Sequence, residues 1–339
     1  RFLREAARSD QPFFLYVAYV APHWPLHAHE EDIAKFRARY RKLGWDRCRA
    51  GRYRRQKEMG LIGEAPLSPR DGRVPPWEKA PHKEWEDERM AVYAAQVHGM
   101  DRGIGRILDA LCQTGREDNT LVMFLSDNGA TDRYPKARPN GRFYLAPPGK
   151  PWRADGTLTR PVVPGVMPGP ADTFGGYGPA WANVSNTPVR QYKQSSYEGG
   201  ILTPLVVKWP GVIRKGGAIT HQHGHVIDMM PTCLEAAGAE YPREYPGRNL
   251  LPLEGKSLVP VFRGEQRPGH EAIYWEYRGT RAVRMGRWKL AAARNAPWEL
   301  YDMEVDRTET NNLAARQPEL VEKMSAMYRA WSKRCNRGR

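Results

Sequence analysis

The sequence predicts an α/β fold followed by a small antiparallel sheet. Three apolar runs of strand length, at residues 11–20, 121–125 and 201–209, alternate with segments of helical periodicity. After about Gly264, short apolar segments recur at close spacing with turn residues between them, which is typical of an antiparallel sheet. We therefore predict a large α/β domain over residues 1–264 and a small domain over residues 265–339.

Polar residues stand close to each of the three predicted strands. The run QPFFLYVAYV at residues 11–20 is nearly all apolar, predicts a buried strand and leads into His23. The run LVMFL at residues 121–125 continues directly into Asp127 and Asn128, and Lys193 precedes the third run, ILTPLVVKW. Because open α/β sheets hold their sites at strand ends, these polar residues are the candidates for chemistry.

Helices are predicted between the strands. Apolar residues recur at steps of three and four from Met90 to Leu111, which indicates an amphipathic helix that ends near Gly115. We predict further helices at residues 30–59, 225–237 and 318–331.

Residues 130–190 are rich in Pro, Gly, Arg and aromatic residues and show no clear period. Long stretches of this kind within a domain are often functional loops, so we expect this one to shape a binding cleft. Its aromatic residues favour packing over disorder; they are Trp152, Phe174, Tyr177 and Trp181.

The charge balance suits an anionic partner. The 339 residues include 53 Lys and Arg against 38 Asp and Glu, for a net charge of +15. A solvated, arginine-rich surface would give the same number. The densest basic segment, residues 47–57, lacks the interleaved aromatics of a single-strand binder, so we predict no nucleic-acid partner. No apolar run approaches the ~18 residues of a membrane span.

Asp127 and Asn128 are candidate metal ligands. A carboxylate and an amide carbonyl are hard oxygen donors that suit Ca²⁺ or Mg²⁺, and Gly129 allows a sharp turn after them. An Asx turn at a strand end would use the same residues.

Lys193 and His23 are candidate contacts to an anionic substrate. A lysine at the mouth of a strand can neutralise an ester oxygen, and a histidine there can donate to the anion or protonate a leaving group. A surface lysine and a packed structural histidine are the alternatives.

Six blocks of sequence, taken together, resemble the type I sulfatases of the arylsulfatase kind. They occur in the family's order and cover essentially the whole chain: PFFLYVAYVAPHWPLHA, TLVMFLSDNGA, YKQSSYEGGILTPLVVKWPG, HVIDMMPTCLEAAG, LEGKSLVPVF and RMGRWKLAAA with WELYDMEVDRTETNNLA.

The resemblance implies an alkaline-phosphatase-like fold, with a mixed sheet between helices and a small C-terminal domain. It implies one bound divalent cation, for which Ca²⁺ is the family's common ion, with Asp127 and Asn128 matching the later metal ligands. Lys193 matches the lysine that contacts the sulfate, and His23 matches the histidine that contacts it and serves the leaving group. The implied activity is hydrolysis of an aryl or glycan sulfate ester by a secreted, periplasmic or lysosome-like protein.

The family's nucleophile is a formylglycine made from Cys or Ser in a C-x-P-S-R motif, which the family places before the first of these blocks. Only residues 1–10 precede the predicted strand at residues 11–20, so we expect the motif and the first metal ligands to lie upstream, and we expect these 339 residues to show negligible turnover without them.

Two other patterns invite a chemical interpretation. Cys48 lies in C-R-A-G-R, which fits a relaxed form of the modification motif, but it falls within a charged, helix-like segment where the family has no nucleophile. His221, His223 and His225 alternate as metal ligands on an extended segment could, but no third ligand type is nearby, so we favour loop packing or cleft lining.

Two rival functions remain open on the residues. A phosphate or phosphonate ester hydrolase of the same superfamily would share the metal and the fold but use another nucleophile. A non-catalytic anion or glycan binder would keep the basic charge and a degenerate pocket.

Overall fold

The computed structural model describes residues 1–133, 156 and 160–335. The helices are α1 (Phe2–Ala6), α2 (Glu30–Ala34), α3 (Arg39–Glu58), α4 (Lys83–Gln113), α5 (Gly178–Ser185), α6 (Glu198–Ile201), α7 (Met229–Ala237), α8 (Val259–Phe262) and α9 (Pro318–Cys335). The strands are β1 (Val122–Leu125), β2 (Arg160–Pro161), β3 (Thr173–Phe174), β4 (Leu205–Lys208), β5 (Glu244–Tyr245), β6 (Arg248–Asn249), β7 (Ile273–Tyr277), β8 (Thr280–Met285), β9 (Trp288–Ala292) and β10 (Glu299–Asp302). The mixed α/β fold class is confirmed.

The core of the larger part lies where α3, α4 and α5 meet. Trp181 on α5 is fully buried, and its ring packs edge-on against Trp45 of α3 at a centroid distance of 5.7 Å. The Trp181 indole donates to the backbone oxygen of Glu86 on α4 at 3.0 Å. The packing predicted for Phe174, Tyr177 and Trp181 is confirmed, whereas Trp152 lies outside the described residues. Part of the predicted 130–190 loop is therefore the helix α5.

α3 contains a kink at Gly44, where the backbone adopts φ +67° and ψ 164°. A Cβ at this position would lie 2.3 Å from the Trp77 ring, so only glycine permits this close packing. The carboxylate of Asp87 on α4 accepts hydrogen bonds from the backbone N–H groups of Ala38 and Arg41, at 2.6 and 2.7 Å. This contact caps the start of α3 and fixes it against α4.

The predicted strand at residues 11–20 is wrong. The segment is extended, but the backbone of residues 12–19 forms no hydrogen bond with any described residue. Phe14, Tyr16 and Val20 are 75%, 79% and 76% exposed. An apolar run predicts burial, but a strand also needs a neighbouring chain to pair with, and the described residues supply none here.

The second and third predicted strands are confirmed as β1 and β4, which pair with each other. They run antiparallel, with Val122 opposite Lys208 and Leu125 opposite Leu205. The end of β1 therefore lies beside the start of β4, which brings the residues that follow β1 and precede β4 to one edge.

The small antiparallel sheet predicted near the C-terminus is confirmed. Its strand order is β10-β9-β8-β7, and α9 packs across β8 and β9. Leu290, Leu300 and Met324 are fully buried between the sheet and the helix. The domain boundary at residues 264 and 265 remains a prediction.

Candidate functional site

The residues after β1 and before β4 meet through backbone hydrogen bonds. The N–H of Lys193 donates to the Ala130 oxygen at 2.8 Å, and the N–H of Gly129 donates to the Gly200 oxygen at 3.1 Å. The structure thus brings Lys193 to the segment that carries Asp127 and Asn128, as the pairing of β1 with β4 requires.

Asn186, just after α5, stabilises the junction between the segment after β1 and the segment before β4 through three hydrogen bonds. Its side-chain oxygen accepts the N–H of Ala130 at 2.9 Å, and its amide nitrogen donates to the oxygens of Gln191 and Gly199 at 2.9 and 2.7 Å. The sequence did not identify Asn186, because an asparagine before Thr-Pro carries no local signal that distinguishes it from an ordinary turn residue.

The side-chain oxygens of Asp127 and Asn128 accept no hydrogen bond from the described residues. Within residues 1–133, 156 and 160–335, no hydrogen bond or ion pair engages the exposed Asp127 carboxylate. The Asn128 amide nitrogen donates to the Gly129 oxygen at 2.9 Å, and no described donor bonds its side-chain oxygen. A carboxylate and an amide oxygen side by side fit a hard cation such as Ca²⁺. In the same described residues, no group of three or more His, Cys, Asp or Glu is placed to hold a metal ion.

Lys193 lies on a loop that is anchored by a cluster of charged residues. The hydroxyl of Tyr192 donates to Asp71 at 2.8 Å, and Arg73 pairs with both Asp71 and Asp132. Burial opposes ionisation of Asp71, but the hydrogen bonds from Arg73 and Tyr192 prevail and hold its pKa at about 2. The Lys193 side chain itself has no ion-pair partner among the described residues, so its charge is available to a ligand.

His23 stands at the end of the extended segment and is exposed. Its Nδ1 lies 2.5 Å from the Trp24 oxygen, and its own backbone oxygen accepts from Gln96 on α4 at 3.4 Å. No hydrogen bond or ion pair among the described residues joins His23 to Asp127, Asn128 or Lys193, so the grouping of His23 with them stays a prediction.

Cys48 is a poor nucleophile in this setting. It lies within α3 and packs against the Trp181 core, and burial raises the pKa of its thiol to about 11. A thiol with this pKa is almost entirely protonated at neutral pH. All four cysteines of the chain are unpaired in the described structure.

The small sheet is joined to the Lys193 loop by buried charges. Lys289 on β9 is fully buried and lies 2.6 Å from Glu198 and 2.7 Å from Glu309. Burial raises the pKa of Glu309, whereas Lys289 overcomes the effect of burial at Glu198 and lowers the pKa there. Beside this group, the Arg190 guanidinium donates to the Tyr301 hydroxyl at 2.7 Å. The C-terminal sheet therefore supports the loop that carries Lys193.

Two family models together match most of the chain. The Sulfatase family model matches residues 1–239, and the model for the C-terminal part of N-sulphoglucosamine sulphohydrolase matches residues 191–333. The two matches overlap on the segment from Gln191 onward, which contains Lys193 and Glu198.

Relatives and a solved structure agree with these matches. An uncharacterized sulfatase of Schizosaccharomyces pombe is 35% identical over 93% of this chain and 57% of its own length. An arylsulfatase of Klebsiella aerogenes is 34% identical over 78% of this chain and 54% of its own. The crystal structure of Ps i-CgsB in complex with k-i-k-neocarrahexaose superimposes with a TM-score of 0.60 at 23% identity, over 98% of this chain and 52% of that one. The chain thus spans about half the length of the curated relatives it matches.

No described helix is both long enough and apolar enough to span a membrane.

Proposed function

Because the chain belongs to the sulfatase family and has its alkaline-phosphatase-like fold, we propose that it contributes the later metal ligands and the sulfate contacts of a sulfuric ester hydrolase. The junction of Lys193 with the Asp127–Asn128 segment, through the 2.8 Å hydrogen bond from Lys193 to Ala130, is the observation that carries the proposal. It sets a cation and two hard oxygen donors at one edge of the β1–β4 pair.

In this proposal Asp127 and Asn128 bind one divalent cation, Ca²⁺. Both side chains have oxygen donors that no described residue occupies, which is what a cation requires. When bound, the ion would supply positive charge to the oxygens of the sulfate group. The remaining ligands come from polypeptide outside these 339 residues.

Lys193 and His23 act on the substrate. The Lys193 ammonium offsets negative charge on a sulfate oxygen, a contact that gains strength where water is excluded. The Nδ1–H of His23 donates to the Trp24 oxygen, so a second proton on the ring would be held by Nε2, and this imidazolium form can pass that proton to the departing oxygen.

The nucleophile is proposed to be a formylglycine supplied by polypeptide that these residues do not include. Cys48 does not suit that role, because it lies inside α3 and packs against the Trp181 core. The exposed apolar side chains of residues 13–20 and of β1 and β4 support the proposal, because such side chains are normally buried by neighbouring strands.

The proposed substrate is an aryl or glycan sulfate ester. An arylsulfatase is among the relatives, and the solved structure that resembles this chain contains a bound oligosaccharide. The full-length protein is proposed to be secreted, periplasmic or lysosome-like.

The test is turnover of 4-nitrophenyl sulfate by the complete sulfatase that contains these residues, with 4-nitrophenyl phosphate as the competing substrate. We expect the sulfate to be preferred, EDTA to abolish turnover and Ca²⁺ to restore it. Asp127→Ala and Lys193→Ala should each lower kcat by roughly a hundredfold or more, since each removes charge from the transition state.

Asp101→Ala, an exposed change on α4, is the matched control and should leave kcat unchanged. Faster hydrolysis of the phosphate, or full activity in Asp127→Ala, would overturn the proposal. So would multiple turnovers by the 339-residue chain without the rest of the protein.

A further inference from the structure

A cleft opens beside the small sheet, at residues other than His23, Asp127, Asn128 and Lys193. Its volume is about 240 Å³, enough for roughly eight water molecules at about 30 Å³ each, or for one sugar-sized group. It lies between the segment at Gln222 and His223, the loop at residues 266–270, and β8 with the turn that follows it.

The wall of this cleft is built around the buried Asp228. The Asp228 carboxylate accepts the backbone N–H groups of His225 and Lys256 at 2.9 and 2.8 Å. It also contacts Arg267 at 2.9 Å and His270 at 2.7 Å. Asp228 and Arg267 are 0% and 3% exposed at their side chains, so these two opposite charges neutralise each other inside the wall.

The same wall holds the rim of the cleft in place. Arg267 donates to the backbone oxygen of His223 at 2.6 Å, and the Gln222 side-chain oxygen accepts the Arg267 N–H at 3.0 Å. The Nε of Arg267 is buried and has no hydrogen-bond partner in the described part of the chain. The rim of the cleft is thus fixed by hydrogen bonds from Arg267, whose buried Nε is left unsatisfied.

Arg284 on β8 brings a positive charge to the cleft, and no described carboxylate forms a direct ion pair with it. Its Nε donates to the Gly286 oxygen at 3.2 Å, and no carboxylate of the described residues lies within ion-pair distance of its guanidinium. The residues that line the cleft include no Asp or Glu. The nearby buried carboxylates of Glu198 and Glu309 are already engaged by Lys289. Burial of Arg284 lowers the pKa of its guanidinium, and the charge of Arg307 acts in the same direction, whereas the charges of Glu198 and Glu309 act against it.

His223 completes the polar lining. Although His223 is an exposed residue, partial desolvation of its ring and the positive charge of Arg284 lower the pKa of the imidazole to about 4, so the ring is neutral at pH 7 and still offers one N–H donor. Arg307 adds to the positive potential around this ring, and Glu198 partly offsets it.

We infer that this cleft is a subsite for an anionic group of an acidic glycan, a sulfate or a carboxylate, held by Arg284 and His223. The choice of a glycan rests on the proposed function, while the choice of an anion rests on the cleft itself. A planar guanidinium can bind a sulfate or a carboxylate through two parallel hydrogen bonds. The cleft accepts a single group rather than a polymer backbone, which distinguishes it from a nucleic-acid groove.

Calorimetric titration of the 339-residue chain at low salt tests the subsite. The probes are a monosulfated disaccharide, the same disaccharide without sulfate, and inorganic sulfate. We expect the sulfated disaccharide to bind at least tenfold more tightly than either of the others. Arg284→Ala should weaken its binding at least tenfold, Arg284→Lys should recover part of the loss, and His223→Ala should weaken binding about threefold.

Arg278→Ala is the matched control, because Arg278 is an exposed arginine in the turn between β7 and β8 whose guanidinium lies 5.4 Å from the Tyr277 ring centroid. It should bind like the wild type. His223 is exposed, so its variant keeps the fold even if a change at Arg284 does not. The subsite would be refuted if Arg278→Ala weakened binding of the sulfated disaccharide as much as Arg284→Ala does. It would also be refuted if neither Arg284→Ala nor His223→Ala changed that binding. Equal affinity for inorganic sulfate and the disaccharide would refute its assignment to a glycan.

The two proposals can fail separately. Under the proposed function, Lys193→Ala lowers kcat in the complete enzyme but should leave binding in this cleft intact. Binding that depends on Arg284 in a protein that hydrolyses no sulfate ester would refute the proposed function and keep the subsite.

Discussion

At the scale of single residues, Gly129 determines how closely the two parts of the candidate site approach. A Cβ at Gly129 would lie 1.8 Å from the backbone oxygen of Gly199. That oxygen accepts the Asn186 amide, so it cannot move without breaking the junction. The site therefore depends on the absence of a side chain as much as on Asp127 and Lys193.

Gly129→Ala should destabilise the chain by about 1–3 kcal/mol, because the added methyl group overpacks a rigid backbone contact. It should also weaken Ca²⁺ binding in the complete enzyme, since Asp127 and Asn128 are carried on the displaced segment. Urea unfolding and Ca²⁺ titration measure the two effects.

Gly99→Ala is the control for this change. Gly99 lies within α4 and a Cβ there meets no atom within 4 Å, so alanine should stabilise the chain by about 0.5–1 kcal/mol. Similar unfolding free energies for the two variants would contradict the close contact at Gly129.

The order of strands and polar residues along the chain predicts that Lys193 meets the segment carrying Asp127 and Asn128, and the backbone hydrogen bond from Lys193 to Ala130 shows that meeting. The roles of the three side chains stay predictions. Asn186 could not be predicted in this way. Its role depends on three backbone atoms that come together only after β1 and β4 have paired.

At the scale of elements, the small sheet and the Lys193 loop depend on one buried lysine. Lys289 on β9 joins Glu198, at the start of α6, to Glu309 in the loop before α9. Glu309 also accepts the backbone N–H of Glu198 at 2.8 Å, which ties the loop to the sheet a second time. Removing the lysine would leave two carboxylates buried without a counter-charge.

Lys289→Met should therefore cost about 3–5 kcal/mol of unfolding free energy, the range for breaking a buried ion pair from one side. Replacing both acids by glutamine in the same variant should recover part of the loss, because neutral amides cost less to bury. Chemical denaturation at pH 7 gives both values.

Lys208→Met is the comparison on β4. Lys208 pairs with Glu117 at the surface and is 43% exposed, so its loss should change stability by about 1 kcal/mol or less. A small effect at Lys289, or no recovery in the triple variant, would contradict the buried network.

Strand prediction from sequence succeeded in the C-terminal sheet and failed at residues 11–20. The four short strands near the C-terminus pair with their neighbours in sequence, so local pattern and turn residues suffice to predict them. Residues 11–20 have an equally strong apolar pattern, but a strand requires a partner, and sequence pattern does not report whether one is present.

At the scale of the whole molecule, a set of apolar side chains faces water. The set comprises Phe14, Tyr16 and Val20 on the extended segment and Phe124 and Val206 on β1 and β4, with exposures from 42% to 79%. Exposed apolar surface of this kind drives association between proteins. In the complete sulfatase, by our proposal, further polypeptide buries the same side chains.

One triple variant should have opposite effects in the 339-residue chain and in the complete enzyme. The change Tyr16→Ser, Val20→Ser and Val206→Thr removes exposed apolar surface from the 339-residue chain, so sedimentation velocity should show less self-association. In the complete enzyme the same change removes buried contacts worth about 1.5–3 kcal/mol per large side chain, so its Tm should fall. Leu251→Ser, at a leucine that is 85% exposed, is the control and should leave the Tm of the complete enzyme unchanged. If the triple variant also left that Tm unchanged, these side chains would not be a buried interface, and the proposed source of the nucleophile would lose its structural support.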